Sequence, residues 1–394
     1  MLINYFLAFF ITIIININGL IKIITGDSIV AGQYSPFVAP AVFILILLLL
    51  LVNNNIIASY LHFKKNIHVF VSAVVCLFIF GVKSGNYITS LKDLVYTFLI
   101  ISFYYFILFL DKKRLFHQVY FVKALIIFGG GIFPLIGYLL FETEERFGGL
   151  VLSNPLFGNM YVIFSLMILA LSSINKFVPS ILLIVFLFPT ILSGSRSAVY
   201  LIIVLLLFLN WRTLFINTYY LKVSRVIISI FILSIIIITS FELLFSTGFR
   251  VFSFTDIVYG SINTRYVWYY KLLLVIKESY FFGGFGAGSS KNFIGYIPHF
   301  DFLRYWYDYS ILYPILFFII LFNINKYIKI KDCTFYYRVL TYFSFFIMII
   351  LSMHNIFQDP GFVLLITSYV YILNSNNFTS KTFEFKKIPR AYYS

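Results

Sequence analysis

The chain is divided into one apolar run after another, each close to the roughly 17 to 25 residues that a helix needs to cross a bilayer, and this repetition constrains the fold more than any other feature. In hydrocarbon no backbone amide can go unpaired, so such runs predict transmembrane helices. About twelve can be read on that criterion, near 3–24, 36–52, 67–82, 94–110, 119–141, 156–171, 177–193, 197–210, 226–245, 308–323, 338–353 and 361–373. Composition closes the alternatives. Of 394 residues, 61% are hydrophobic and 11% charged, against about a quarter charged in soluble domains. A chain with 50 Phe and 31 Tyr could not cover its surface with polar groups in water. The expected fold is a single all-α integral membrane domain over 1–394. Disordered, collagen-like and disulfide-scaffold classes are excluded, and Cys76 and Cys333 are too few for a disulfide framework or a four-thiolate metal site.

The net charge of +15 is a topology signal. Short cytoplasmic loops hold Lys and Arg, and with the N-terminus inside, 18 of the 29 basic residues fall on cytoplasmic segments. Carboxylates show the reverse bias, with only Asp111, Asp332 and Glu384 inside. Both termini are expected in the cytoplasm, and nucleic acid is not an expected partner. The first run lacks a preceding Lys or Arg and a small-residue cleavage site, so it reads as a retained anchor. Cys76 falls mid-membrane and Cys333 in a cytoplasmic loop, too far apart to pair.

Most loops are short, and the stretch 246–307 is the one outward segment large enough to build a site. Within it, Asn263 or Thr264 can cap a helix to about Ser279, with Arg265, Trp268, Tyr269, Leu272 and Ile276 on one face. That pattern suits a helix on the membrane surface or one packed over the bundle. Gly283 to Gly288 follows a helix, not a strand, so a dinucleotide or P-loop reading fails on context and a tight turn allowing close backbone approach is expected. Next, His299, Asp301 and Arg304 place an imidazole, a carboxylate and a guanidinium within one or two helical turns. A second outward cluster, Ser193-Gly194-Ser195-Arg196-Ser197, interrupts the apolar run between spans seven and eight. An arginine so near hydrocarbon is a functional candidate or a snorkelling helix end. Of five histidines only His299 and His354 face outward, and no HExxH or CxxC spacing is present, so neither metal nor cofactor is expected.

These residues resemble the O-antigen polymerase and O-antigen ligase superfamily of bacterial membrane glycosyltransferases. The resemblance rests on Gly194-Ser195-Arg196-Ser197, then Arg265 and Trp268, then Gly284 to Gly288, then His299-x-Asp301-x-Leu303-Arg304, in that order over roughly residues 180 to 325. Phe300 stands where members often carry Asn, and Asp308-Tyr309-Ser310 where Glu-x-Gly commonly follows. A His-Asn pair occurs at His354-Asn355. The resemblance implies a GT-C-like bundle in the bacterial cytoplasmic membrane, with its active site on the outer face. It implies an enzyme acting on undecaprenyl-diphosphate-linked oligosaccharide, a polymerase first and a ligase to lipid A core second, with a flippase as the non-enzyme alternative. His299, Arg196 and Arg265 are then the catalytic candidates. Asp301, Arg304, Arg250, Trp268 and Gly286 are the substrate-binding ones. Partners that regulate chain length and flip the substrate follow from the resemblance alone.

Overall fold

The computed structural model describes residues 2–25, 37–46, 48–49, 67–140, 149–151, 154–171, 177–215, 261–295, 300–323, 335–354 and 356–384. Among these residues every regular element is helical. In chain order they are α1 (Leu2–Ile15), α2 (Ile17–Thr25), α3 (Phe37–Ile46), α4 (Ile67–Ser84), α5 (Tyr87–Lys112), α6 (Gln118–Leu140), α7 (Asn154–Leu171), α8 (Phe177–Leu192) and α9 (Arg196–Phe215). The second half contributes α10 (Ser261–Glu278), α11 (Ser289–Ile294), α12 (Asp301–Tyr309), α13 (Leu312–Asn323), α14 (Phe335–Leu351) and α15 (Pro360–Glu384). The span expected at 226–245, Arg250 and His299 lie outside the described residues, as do the side chains of Arg196 and Arg265.

By length and apolarity α5 and α6 can each cross a membrane, α1 with α2 forms a third such stretch bent by 64°, and shorter apolar helices accompany them. These helices point to a membrane protein. So do the large apolar side chains on the outside of the bundle, among them Phe78, Ile88, Leu135 and Phe188, a surface that in water would be an aggregation hazard. In lipid, helices gain little from burying apolar surface against one another, so close packing and hydrogen bonds carry the assembly.

The centre is formed by α7 and α15, which are buried on every side from Met160 to Ala170 and from Gly361 to Asn374, as an all-round apolar helix should be. Ser165, Thr367 and Ser368 keep their hydroxyls off the hydrocarbon by bonding the carbonyl four residues back.

Three irregularities depart from the straight spans that hydropathy predicts. The expected span 3–24 breaks at Asn16, whose side-chain amide donates to Thr12 O at 2.7 Å; a side chain inserted into the helical ladder is a recognised cause of kinks. In α6, Ile126–Ile132 is π-helical around Gly129-Gly130-Gly131, and Tyr161 Oη donates to the Gly130 carbonyl at 3.0 Å. The expected span 308–323 is also divided. Ser310, at φ 73°, separates α12 from α13.

Polar contacts between distant residues gather into two sets at opposite ends of α5. One joins Asn4 to Leu115 and His117, Gln118 to Ser375, Tyr371 to Asp111 and Asn374 to Tyr104. The other joins Lys83 to Gly284, Asp93 to Arg304 and Tyr309, Ser197 to His354, and Asp301 to Phe357 and Gln358. Asp93 and Asp111 are separated by about 27 Å along α5 at 1.5 Å per residue, close to the roughly 30 Å of a hydrocarbon core.

Candidate functional site

The second of these sets draws on both outward sequence clusters, and it is built around α12. Asp301 opens this helix, where a carboxylate complements the positive end of the helix dipole. It is fully buried, and its two oxygens accept from Phe357 N at 3.0 Å and Gln358 Nε2 at 2.7 Å. One turn on, Arg304 donates from Nη2 to Asp93 Oδ1 at 2.8 Å, with Arg304 6% and Asp93 1% exposed. The other oxygen of Asp93 accepts from Tyr309 Oη at 2.7 Å. Arg304 Nε and Tyr305 Oη beside this bond are buried and have no hydrogen-bond partner. Tyr96, one turn after Asp93, donates its hydroxyl to Gln358 O, which closes a ring from α5 through 356–358 to α12.

The glycine segment closes the other end of α12. A helix leaves its last carbonyls unpaired, and here Gly284 N and Phe285 N donate to Tyr307 O at 3.0 and 2.9 Å and Gly286 N to Asp308 O at 3.0 Å. Gly286 can do so only because it sits at φ 115° with its α-carbon against α4; a Cβ there would lie 2.6 Å from Ser84 Cβ. The Asp308 carboxylate reaches back to accept from Gly288 N at 3.2 Å and Ser290 N at 2.8 Å. The loop is a close-approach turn whose amides at 284–286, 288 and 290 are occupied by protein acceptors. Lys83 ties it to α4 by donating to Gly284 O at 2.7 Å.

Against the other face of α12 lies α10. Leu272 and Ile276 are completely buried there against Leu303 and Tyr307, and Tyr269 meets Phe300 edge-on at 5.7 Å between ring centres. Three of the five residues that the spacing put on one face thus pack over the bundle. Trp268 is half-buried on the same helix.

The serine-arginine turn sits at the start of α9. Ser193 Oγ accepts from Ser195 N at 3.2 Å, and the turn lies against Gly158 of α7, where a Cβ would come within 2.6 Å of Ser195 Cβ. Ser195 Oγ and both side-chain polar atoms of Asn159, the residue after Gly158, are buried without a partner. Ser197 Oγ, one residue after Arg196, lies 2.8 Å from His354 Nε2.

Of the sequence candidates, the structure brings Asp301, Arg304 and Gly286 into one contiguous cluster with α10. It carries the backbone of Arg196 to the same end of the bundle through Ser197 and His354. Sequence reasoning missed Asp93, Tyr96, Lys83 and Gln358. An acid at the end of an apolar run is a signal in itself, and Asp93 is such a residue. Among the described residues no three His, Cys, Asp or Glu side chains gather as metal ligands would.

Burial pushes the Asp301 carboxyl up to about 6, against the opposing pull of Arg304 and its hydrogen bonds, and burial does the same to Asp359, also to about 6. The native state therefore holds protons at these sites that the unfolded chain releases near its ordinary value of about 3.9, and stability falls as pH rises from about 4 to about 6. Thermal unfolding in detergent should show that decline, and Asp301→Asn should make it shallower, leaving the share of Asp359. An unchanged slope in the variant would assign the pH dependence elsewhere.

No protein-family model, curated protein or solved structure matches the chain.

Proposed function

We propose that the chain is a polymerase of lipid-linked surface polysaccharide, joining undecaprenyl-diphosphate-linked repeat units at the outer face of the bacterial cytoplasmic membrane. In this reading about twelve helices span the bilayer in a GT-C-like bundle. Both termini are cytoplasmic, and the end of the bundle carrying Asp93, Arg196 and α12 is outward. The observation that supports it is convergence: of the residues that carry the ordered resemblance, Ser197 on one side and Asp301 and Arg304 on the other, more than a hundred positions apart, belong to one end of the bundle. A polyprenyl tail keeps its diphosphate at the membrane interface, so one polar end is where such a donor would be met.

The chemistry follows from the leaving group. Undecaprenyl diphosphate departs readily if its developing charge is stabilised, and arginine does this with a planar fork that stays charged. One pair at about 4 Å and an effective dielectric near 20 is worth about 4 kcal/mol before desolvation. Arg196 and Arg265 are assigned that role. The acceptor hydroxyl oxygen attacks the anomeric carbon, the bond to the diphosphate breaks with its electron pair leaving on the phosphate, and His299 takes the hydroxyl proton. The result is a single displacement with inversion. Asp301 and Arg304, engaged with Gln358 and Asp93, hold the frame around the substrate rather than contribute free charges to it.

Deleting the gene in its native host tests the reading. Surface polysaccharide should lose its ladder while a single repeat still reaches its acceptor, and Arg196→Ala, Arg265→Ala or His299→Ala should each reproduce the loss with the protein still in the membrane. Full-length glycan accumulating on the polyprenyl carrier would mean a ligase to lipid A core. Repeat units trapped on the cytoplasmic face would mean a flippase, and normal chain lengths in all three variants would overturn the site assignment.

A further inference from the structure

One short segment touches both halves of the candidate site. Residues 352–354 and 356–358 form two consecutive 3-10 turns between α14 and α15. From the first turn His354 Nε2 meets Ser197 Oγ at 2.8 Å, at the second position of α9 and next to Arg196. From the second, Phe357 N and Gln358 Nε2 hold both oxygens of Asp301 at the start of α12. Tyr96 Oη bonds the Gln358 carbonyl and anchors the segment to α5. The start of α9 is therefore bonded, through an imidazole, to the segment that also holds α12.

The start of α9 is also incomplete in its hydrogen bonding. The first amides of a 20-residue helix have no intrahelical acceptor, and Ser195 Oγ, 5% exposed, and the amide group of Asn159 have no partner beneath it. Within itself the turn is fixed by Ser193, whose N donates to Pro189 O at 3.0 Å and whose Oγ donates to Thr190 O at 2.7 Å, and the imidazole ties it to the segment that holds α12.

We propose that His354 is a positioning residue that braces the Arg196 turn and keeps it at a constant distance from α12. The inference rests on the polymerase reading for its functional consequence. A hydroxyl both donates and accepts, so Ser197 can pair with either tautomer of the imidazole. Any side chain that reaches Ser197 with a hydrogen-bonding group should serve.

In membranes supplied with undecaprenyl-diphosphate-linked repeat units, His354→Ala and Ser197→Ala should each lower the turnover number roughly 10- to 100-fold, the scale of a reactive group displaced by about 1 Å. The double variant should be no worse than either single, and His354→Gln should recover most of the rate with a pH profile parallel to the parent's. Normal turnover in His354→Ala overturns the inference, and so does a His354→Gln variant as slow as His354→Ala beside a normal Ser197→Ala, because the imidazole would then act by its own proton chemistry. A readout independent of polymer formation separates the two claims. With Cys76 and Cys333 replaced, a cysteine introduced by Ser195→Cys should react with a small thiol reagent roughly tenfold faster once His354→Ala is added, by the loss of a brace about the strength of one hydrogen bond. A faster reaction in a parent that makes no polymer would keep the brace and discard the polymerase; an unchanged rate in a parent that makes polymer would discard the brace alone.

Discussion

Replacing Asp93 by alanine should leave little folded protein in the membrane. Its carboxylate accepts from Arg304 Nη2 at 2.8 Å and Tyr309 Oη at 2.7 Å, and all three groups are buried. Removing one partner of a buried pair strands the other charge, at about 3–5 kcal/mol, and an orphaned phenol adds about 1–3 kcal/mol. Against a typical stability of about 5–15 kcal/mol that is enough to unfold much of the population. Arg304→Leu should be as damaging, since it strands Asp93. The double variant Asp93→Asn/Arg304→Leu should recover at least half of the lost stability, because it removes both charges while the new amide oxygen remains an acceptor for Tyr309. Detergent-solubilised protein measured by size-exclusion profile and thermal unfolding decides the matter. A double variant no better than the worse single would mean that Arg304 and Asp93 act through other contacts.

That pair also marks the boundary of what was legible in the sequence. Hydropathy and loop charge give each residue an expected side of the membrane. Lys83, Asp93, Ser197, Gly284, Asp301, Arg304, His354 and Gln358 meet at one end of the bundle. Asn4, Asp111, Gln118 and Ser375 meet at the other. The information is one-dimensional, because each span reverses direction and parity alone decides which ends are neighbours. Partner choice within an end is three-dimensional and leaves no local trace. Asp93 and Arg304 are 211 residues apart, and Ser197 and His354 are 157 apart; no periodicity relates them. The break at Asn16 escaped for another reason. Asn within an apolar run is read as a tolerated polar residue until its amide is seen bonding Thr12 O. The loop helix over 261–278 was readable because Leu272 and Ile276 keep helical spacing, while what it packs on, α12, was not.

The glycine loop carries the second large effect. Gly286→Val should abolish stable accumulation of the protein, and Gly286→Ala should come close. At φ 115° the residue occupies backbone space that side chains rarely enter, a strain of about 1–3 kcal/mol, and a Cβ would stand 2.6 Å from Ser84 Cβ and 3.2 Å from the Ser84 backbone nitrogen and α-carbon. Neither contact is with a flexible side-chain end, so the loop must move away from α4. That movement takes with it the Gly286 bond to Asp308 O, the Ala287 bond to Phe80 O and the Lys83 bond to Gly284 O. Each lost bond costs about 1 kcal/mol and more if a buried carbonyl is left bare, so the total exceeds about 4 kcal/mol, in the range that identifies a specific structural failure. A phosphate cradle would behave otherwise, because Gly286→Ala would then spare the fold and weaken only the hold on substrate. Measuring accumulation and melting of the variant without substrate separates the two. Normal stability with impaired turnover would return the loop to the ligand, whereas loss of the folded protein would fix its role as the cap that holds α12, and with it Asp301 and Arg304, against α4.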